Sequence, residues 1–253
     1  MTAAALLLAA VVRAQFLMGT VCEITAAAEP QADAAFAEAK RVEGMLSTWI
    51  DDSELIRVNR GAEPGPELRA LLAEAQAWSK KTNGAFDPRW REKAHGERGF
   101  EAGAFGKGYA LDRMLALTSG DATINFGGQL IVRGTRDVAI ANPSERRKPL
   151  LALTIANASL STSGDSEQPG HIYDPRTGRS VRRRGSVSVI AKDALTADIL
   201  STALYVMGDE EGLRWANAND VAAIFITESN LVRRSARAPR DLELLDSKYE
   251  LKD

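Results

Sequence analysis

Ala122-Thr123-Ile124-Asn125-Phe126-Gly127-Gly128 is the stretch on which the fold turns. Apolar Ala122, Ile124 and Phe126 alternate with polar Thr123 and Asn125, so one face of a strand is apolar, and a glycine pair ends the run in a short turn. Working outward, strand patterns recur at residues 21–25, 138–141, 151–155, 186–191 and 221–226, with another short connection at Asn142-Pro143. Helical patterns separate them. Phe36, Ala39, Val42, Met45 and Leu46 recur at three- and four-residue spacing within residues 31–49, just after Pro30. Leu68, Leu71, Leu72, Ala75 and Trp78 share a second helical face that stops at Asn83-Gly84. Further helices are predicted at residues 107–118, at 196–207 up to Gly208, and at 210–218. Short turns between strands, interspersed with helices, predict an α+β fold with a partly antiparallel sheet. Residues 89–98 are polar and irregular and predict a surface loop.

The 253 residues are 45% hydrophobic and 26% charged, the composition of an ordinary globular protein, and the length makes one domain the default and two the alternative. Basic and acidic residues number 32 and 34, so no global field recruits nucleic acid or an anionic membrane, and a nucleotide would need local recognition. Cys22 is the sole cysteine, which excludes an internal disulfide, and its apolar flanks predict a buried thiol. His95 and His171 are spaced too widely for a local zinc motif, whereas an oxygen-built magnesium site stays open. Residues 1–15 hold an apolar run ending Val12-Arg13-Ala14-Gln15. This reads either as the remnant of an export signal lacking a basic start or as an ordinary N-terminal helix; it is too short to span a bilayer. The domain proper is expected over residues 16–253, with no stable membrane insertion.

Four stretches interrupt hydrophobic elements with residues that packing alone does not require: Asn83-Gly84-Ala85-Phe86-Asp87-Pro88, Gly103-Ala104-Phe105-Gly106-Lys107-Gly108-Tyr109, Thr162-Ser163-Gly164-Asp165 and Ala197-Asp198-Ile199-Leu200-Ser201-Thr202. The second opens a helix near Lys107, where a glycine loop lets backbone N–H groups approach a phosphate beside a lysine charge. The plain alternative is a tight turn with a solvated lysine, and the Walker spacing is absent. In the last stretch, Asp198 and Thr202 are four residues apart and share a helix face at its first turn. A carboxylate and a hydroxyl together suit a hard cation that keeps waters or phosphates in its shell. Helix capping is the alternative, with Thr196 as N-cap and Asp198 favoured by the dipole. His171 lies among the turn signals of His171-Ile172-Tyr173-Asp174-Pro175-Arg176-Thr177-Gly178; Ser163, His171 and Asp174 lack the G-x-S-x-G elbow of a serine hydrolase.

The order of these stretches resembles the ApbE family of FAD:protein FMN transferases. Phe16-Leu17-Met18-Gly19-Thr20 is similar to that family's opening M-G-T strand, and Ser47-Thr48-Trp49 with Asp52-Ser53-Glu54-Leu55 and Asn59 to its next segment. Gly84 to Pro88 resembles the G-A-F-D-P loop, and Glu101 to Arg113 the glycine–lysine motif. Asn125-Phe126-Gly127-Gly128, Thr162 to Asp165, His171 to Gly178, and Ala197 to Thr202 with Met207-Gly208 follow in the family's order. Glu101 stands where the family usually has Asp, and the links 87–101 and 165–171 are short.

The resemblance implies a single-domain, T-fold-like α+β architecture: a mixed, largely antiparallel sheet flanked by helices. It implies transfer of FMN from FAD to a Thr or Ser hydroxyl of an acceptor redox protein, dependent on Mg²⁺ and releasing AMP, in the periplasm or otherwise outside the cytoplasm. By resemblance, Met18, Trp49, Ala85, Phe86, Asp87, Glu101, Lys107 and Ile172 line the FAD site. Asp198, Thr202 and oxygens of Ala104 and Ser201 hold the magnesium. Lys107, Asp198 and His171 are the expected catalytic residues, His171 as general base with Asp165 or Asp174 in reserve. An FAD pyrophosphatase releasing FMN and AMP, and a non-catalytic FAD-binding protein, are the alternatives.

Overall fold

A computed structural model describes residues 10–166, 169–183 and 185–252. The chain opens with an antiparallel hairpin, β1 (Val11–Leu17) and β2 (Thr20–Ala26), joined by Met18 and Gly19. Both joining residues have positive φ, 47° and 76°, as a tight hairpin turn matched to strand twist requires. The M-G-T segment expected as a strand is therefore mostly turn. Residues 11–15 of the expected signal segment lie in β1, paired residue for residue with β2; residues 1–9 lie outside the described residues. Any processing that leaves the sheet intact must fall before Val11.

Helices α1 (Glu29–Leu46), α2 (Glu54–Asn59), α3 (Pro66–Lys81), α4 (Trp90–His95) and α5 (Gly106–Ala116) follow. Pro30 and Pro66 sit at the starts of α1 and α3, where their missing N–H costs no hydrogen bond. The expected loop at 89–98 thus contains a helix, closed by Gly96 in the left-handed conformation. Six residues are too few to show a period, and none of them is buried.

The strands β3 (Ala122–Phe126), β4 (Gln129–Arg133), β5 (Thr135–Ala141), β6 (Pro149–Ala156) and β7 (Ser159–Gly164) come next. After them run β8 (Tyr173–Asp174), β9 (Arg179–Ser180), β10 (Ser186–Ala191), α6 (Ala194–Ala218), β11 (Ala222–Ile226), β12 (Leu231–Arg234), β13 (Glu243–Leu244) and β14 (Glu250–Lys252). The main sheet has the order β1-β2-β3-β4-β7-β10-β11-β12-β14, antiparallel throughout except for the parallel pair β12–β14. A smaller sheet runs β13-β6-β5, and β8 pairs with β9. The expected mixed, largely antiparallel α+β fold is the fold observed.

Two cores flank the main sheet because its strands alternate. Ala223 and Phe225 of β11 join the core built with α1, α3, α5 and α6, whereas Ile224 and Ile226 join Ile140, Leu150, Leu151, Leu153 and Ile155 of the β5–β6 hairpin. Cys22 is fully buried in the first core, and burial pushes its thiol up to about 12, as expected of a structural residue. Gly208 interrupts α6 with φ 82° and ψ 178°, a conformation open essentially to glycine alone, so the two helices predicted on either side of it form one broken element.

Candidate active site

A cleft of about 650 Å³ gathers most of the residues singled out in the sequence. The Gly127-Gly128 turn, β7 hydroxyls, the starts of α5 and α6, the Ala85–Asp87 loop, α4 and the segment beginning at His171 all contribute to its lining. Trp49, Ala85, Phe86, Asp87, Glu101, Ala104, Lys107, His171, Ile172, Asp198 and Thr202 all face it. Met18 and Ser201 do not. Met18 packs against the core with its amide held by Glu43 Oε1 at 2.8 Å, and Ser201 is fully buried behind the cleft surface.

Asp198 is 6% exposed, and its Oδ2 accepts a hydrogen bond from Gly108 N at 2.9 Å. The approach requires glycine: a Cβ at position 108 would lie 2.4 Å from Ala194 O and 2.8 Å from Asp198 Cβ. One turn further along α5, the two Asp112 oxygens accept Ala194 N at 2.7 Å and Leu195 N at 2.9 Å, while Asp193 Oδ1 accepts Thr196 N at 2.7 Å. Asp112 and Asp193 therefore cap α6. The helix begins at Ala194, two residues earlier than expected, which removes the capping alternative for Thr196 and Asp198. Desolvation raises the Asp198 carboxyl to about 6, against the opposing pull of Lys107 and the Gly108 N–H.

Thr202 follows Asp198 by one turn. Ser163 Oγ lies 3.2 Å from Thr202 Oγ1 and 2.9 Å from Ser201 Oγ; Ser201 Oγ also lies 3.1 Å from Ser161 Oγ and donates to Asp198 O at 3.0 Å. A buried carboxylate with one backbone donor, beside hydroxyls whose protons can rotate, is a donor set that suits a hard cation. Among the described residues no three of His, Cys, Asp and Glu cluster, so an ion here would complete its shell with hydroxyl, carbonyl, water or ligand phosphate oxygens. Asn125 Oδ1 and Gln129 Oε1, on lining residues, are buried acceptors without a partner among the described residues, a deficit that a bound ligand's donors would satisfy. These residues fit magnesium and a ligand that carries hydrogen-bond donors.

The glycine loop departs from expectation. Gly106 N donates to Ala102 O at 2.6 Å and Gly108 N to Asp198, so two of the amides expected to face a phosphate are committed internally. Its service to the cleft is to let α5 and α6 cross closely and to aim Lys107 into the opening.

The remaining lining rests on side-chain clasps. The Asn59 amide grips Phe100 through Nδ2 to Phe100 O and Phe100 N to Oδ1, both 2.8 Å, which fixes the chain just before Glu101. Phe86 is buried, edge-on to Phe105 at 6.2 Å, and Trp49 is 94% exposed at the rim. His171 is exposed and faces the cleft. The reserve bases are otherwise engaged: Asp174 binds the backbone and guanidinium of Arg176, Asp165 accepts from Gly170 N, and neither lines the cleft. Trp90, Gln129 and Arg146 line it without having been singled out, because each sits in a stretch with no motif of its own.

The sequence profile of the ApbE family matches residues 18–95 and 89–225. An FAD:protein FMN transferase of Klebsiella pneumoniae (strain 342) is 32% identical over 168 residues, covering 60% of this chain and 53% of the relative. One of Vibrio cholerae is 36% identical over 123 residues, 42% of this chain and 37% of the relative. One of Treponema pallidum (strain Nichols) is 25% identical over 327 residues, 94% and 90% of the two chains. The chain thus spans about half or less of the first two relatives and nearly all of the third. The ApbE protein of Thermotoga maritima superposes with a TM-score of 0.81 at 23% identity, covering 90% of this chain and 97% of that one. The apo flavinyl transferase ApbE of Pseudomonas stutzeri superposes with 0.77 at 21% identity, covering 90% and 95%. With most of its length matched by one profile and its fold shared with these structures, the chain belongs to the ApbE family.

Proposed function

We propose that this chain transfers FMN from FAD to a Thr or Ser hydroxyl of an acceptor redox protein, with Mg²⁺ as cofactor. The observation that carries the reading is the Asp198–Thr202 pair, a buried carboxylate and a hydroxyl one helical turn apart, opening on the same cleft as Lys107 and the Ala85–Asp87 loop. Asp198, Thr202 and the main-chain oxygen of Ala104 would hold the magnesium, which would supply charge neutralisation at the diphosphate; Ser201, behind the cleft surface, is left out of that shell. Lys107 adds a fixed positive charge beside it. His171 takes the proton of the acceptor hydroxyl as its oxygen bonds to the FMN-side phosphorus. The phosphorus–oxygen bond to AMP breaks, and AMP leaves with the electron pair. The leaving phosphate, with a second pKa of about 6, departs without a dedicated acid. A well-placed base contributes ~10²–10⁴-fold in rate.

One assay tests the reading: the full chain, FAD, Mg²⁺ and an acceptor domain carrying an Asp-[Ser/Thr]-Gly-[Ala/Ser]-Thr motif. Covalent flavin on the acceptor Thr with stoichiometric AMP is the expected result. Free FMN alone would instead make the chain a pyrophosphatase, and unchanged FAD a carrier. Action outside the cytoplasm is part of the proposal, tested by cell fractionation. Among the described residues no helix is long and apolar enough to cross a membrane.

A further inference from the structure

Trp90 touches both short segments that present polar groups to the cleft. Its Nε1–H donates to Glu101 Oε2 at 3.0 Å, the oxygen left after Oε1 accepts Gly103 N at 2.9 Å. Its ring stacks on Tyr173, with centroids 4.9 Å apart and planes at 21°, and His95 closes edge-on against both rings. Tyr173 stands two residues after His171. At the far end of the same segment, a Cβ on Gly178 would lie 2.7 Å from Lys93 O, so β8–β9 and α4 pack backbone to backbone. A six-residue helix has little stability of its own, and α4 buries none of its residues, so its place depends on such side-chain contacts.

We propose that Trp90 is a positioning residue for both ligand-facing segments: its N–H fixes the Glu101 carboxylate in the cleft, and its ring fixes the segment that carries His171. What Glu101 and His171 then do rests on the FMN-transfer reading; the contacts themselves do not. A glutamate has three rotatable bonds, and two donors on its two oxygens select one arrangement before any ligand arrives, so binding no longer bears the cost of ordering it. The stack holds β8 in place in a similar way, at a site where the two-residue strand has a ladder of its own too short to do so.

The test separates the two contacts in the full chain. Trp90→Phe keeps a ring for the stack and deletes the donor; FAD Kd, read by titration of flavin fluorescence, is expected to rise about fivefold. In a Glu101→Ala background the same substitution is expected to change Kd by less than about twofold, because its partner is gone. Tyr173→Leu keeps the N–H and removes the stack; kcat is expected to fall about tenfold, with a displaced limb in the pH–rate profile. Unfolding midpoints measured alongside report any general loosening, which the double-mutant cycle cancels. An equal effect of Trp90→Phe in both backgrounds, no effect in either, or a Tyr173→Leu variant with wild-type kcat and pH profile would overturn the inference. A wild-type chain that binds FAD but flavinylates no acceptor would overturn the reaction reading instead, and would leave the Trp90–Glu101 cycle measurable.

Discussion

Two parts of the cleft lining are built by different means. The α5–α6 crossing sets its polar groups on long helices, with a glycine at the contact and carboxylate clamps at the start of α6. The segments around α4 and β8–β9 are short pieces held by individual side chains: Asn59 on Phe100, Trp90 on Glu101 and Tyr173, Arg176 on Asp174 and Glu211. The first part places a costly buried charge with little freedom to move. The second lies outside the main sheet and presents groups to the rest of the cleft. An ion site needs fixed geometry at one point, whereas a nucleotide site needs many small contacts.

The largest expected effect comes from breaking the rigid part. Asp198→Asn keeps the shape and an acceptor for Gly108 N but removes the charge, and flavin transfer is expected to drop by roughly 10³-fold or more. The same change should stabilise the ion-free protein. With the folded carboxyl at about 6 and the unfolded one near 3.8, folding favours the protonated form, so its contribution is fully present below pH 3.8 and is lost as pH rises through 6. Above that, the charged group weighs against folding by roughly 3 kcal/mol, which Asn avoids. Urea unfolding at pH 7.5 with and without Mg²⁺ measures both: wild type gains stability from Mg²⁺, and the variant starts higher and gains none.

Next in size is Gly108→Ala. Helix propensity alone favours alanine by about 1 kcal/mol, but a methyl 2.4 Å from Ala194 O must push α6 away. A net loss of roughly 1–3 kcal/mol is expected, with about 100-fold lower transfer, measured by thermal unfolding and flavinylation rate. Stability unchanged or improved would show that the crossing is loose enough to admit a methyl group.

The rigid part was also the legible one. Asp198 and Thr202 share a helical spacing and the α5 start carries glycines and a lysine, but each also reads as an ordinary cap or tight turn, and it is the order of the stretches, which resembles that of the ApbE family, that singles them out. What the sequence misjudged was which partner each group would choose. The Gly108 N–H serves Asp198 rather than a phosphate; the N-cap of α6 is the neighbouring Asp193 rather than Thr196, and Asp112, 82 residues from Ala194, takes the next two amides. Contacts between residues so far apart leave no local pattern. For the same reason the sequence of α4 looks like a loop and nothing local marks Trp90, whose partners are Glu101 and Tyr173. The second core was equally hidden: β5 and β6 look like ordinary strands, and nothing local shows that they cover the back of the main sheet rather than extend it.

On the clasped part, effects should be smaller and fall on binding. Asn59→Ala deletes both hydrogen bonds to Phe100 and is expected to cost about 1–3 kcal/mol of stability, with several-fold weaker FAD binding. Trp49→Ala, at 94% exposure, should leave stability within about 0.5 kcal/mol while weakening FAD binding, which calorimetry and flavin titration separate.

Direct titration of the divalent ion by calorimetry across pH, on wild type and Asp198→Asn, bears most closely on the central claim. The ion requires the ionised carboxylate, so the wild-type Kd for Mg²⁺ should be flat above about pH 6 and weaken about tenfold per unit below it. Asp112, also pushed up to about 6 by burial, titrates in the same range but points at α6 amides, so the comparison with the Asp198 variant assigns the effect. Binding that vanishes at every pH in Asp198→Asn is the predicted result; a wild-type Kd unchanged from pH 7.5 to 5, or a variant that binds as tightly as wild type, would contradict the account.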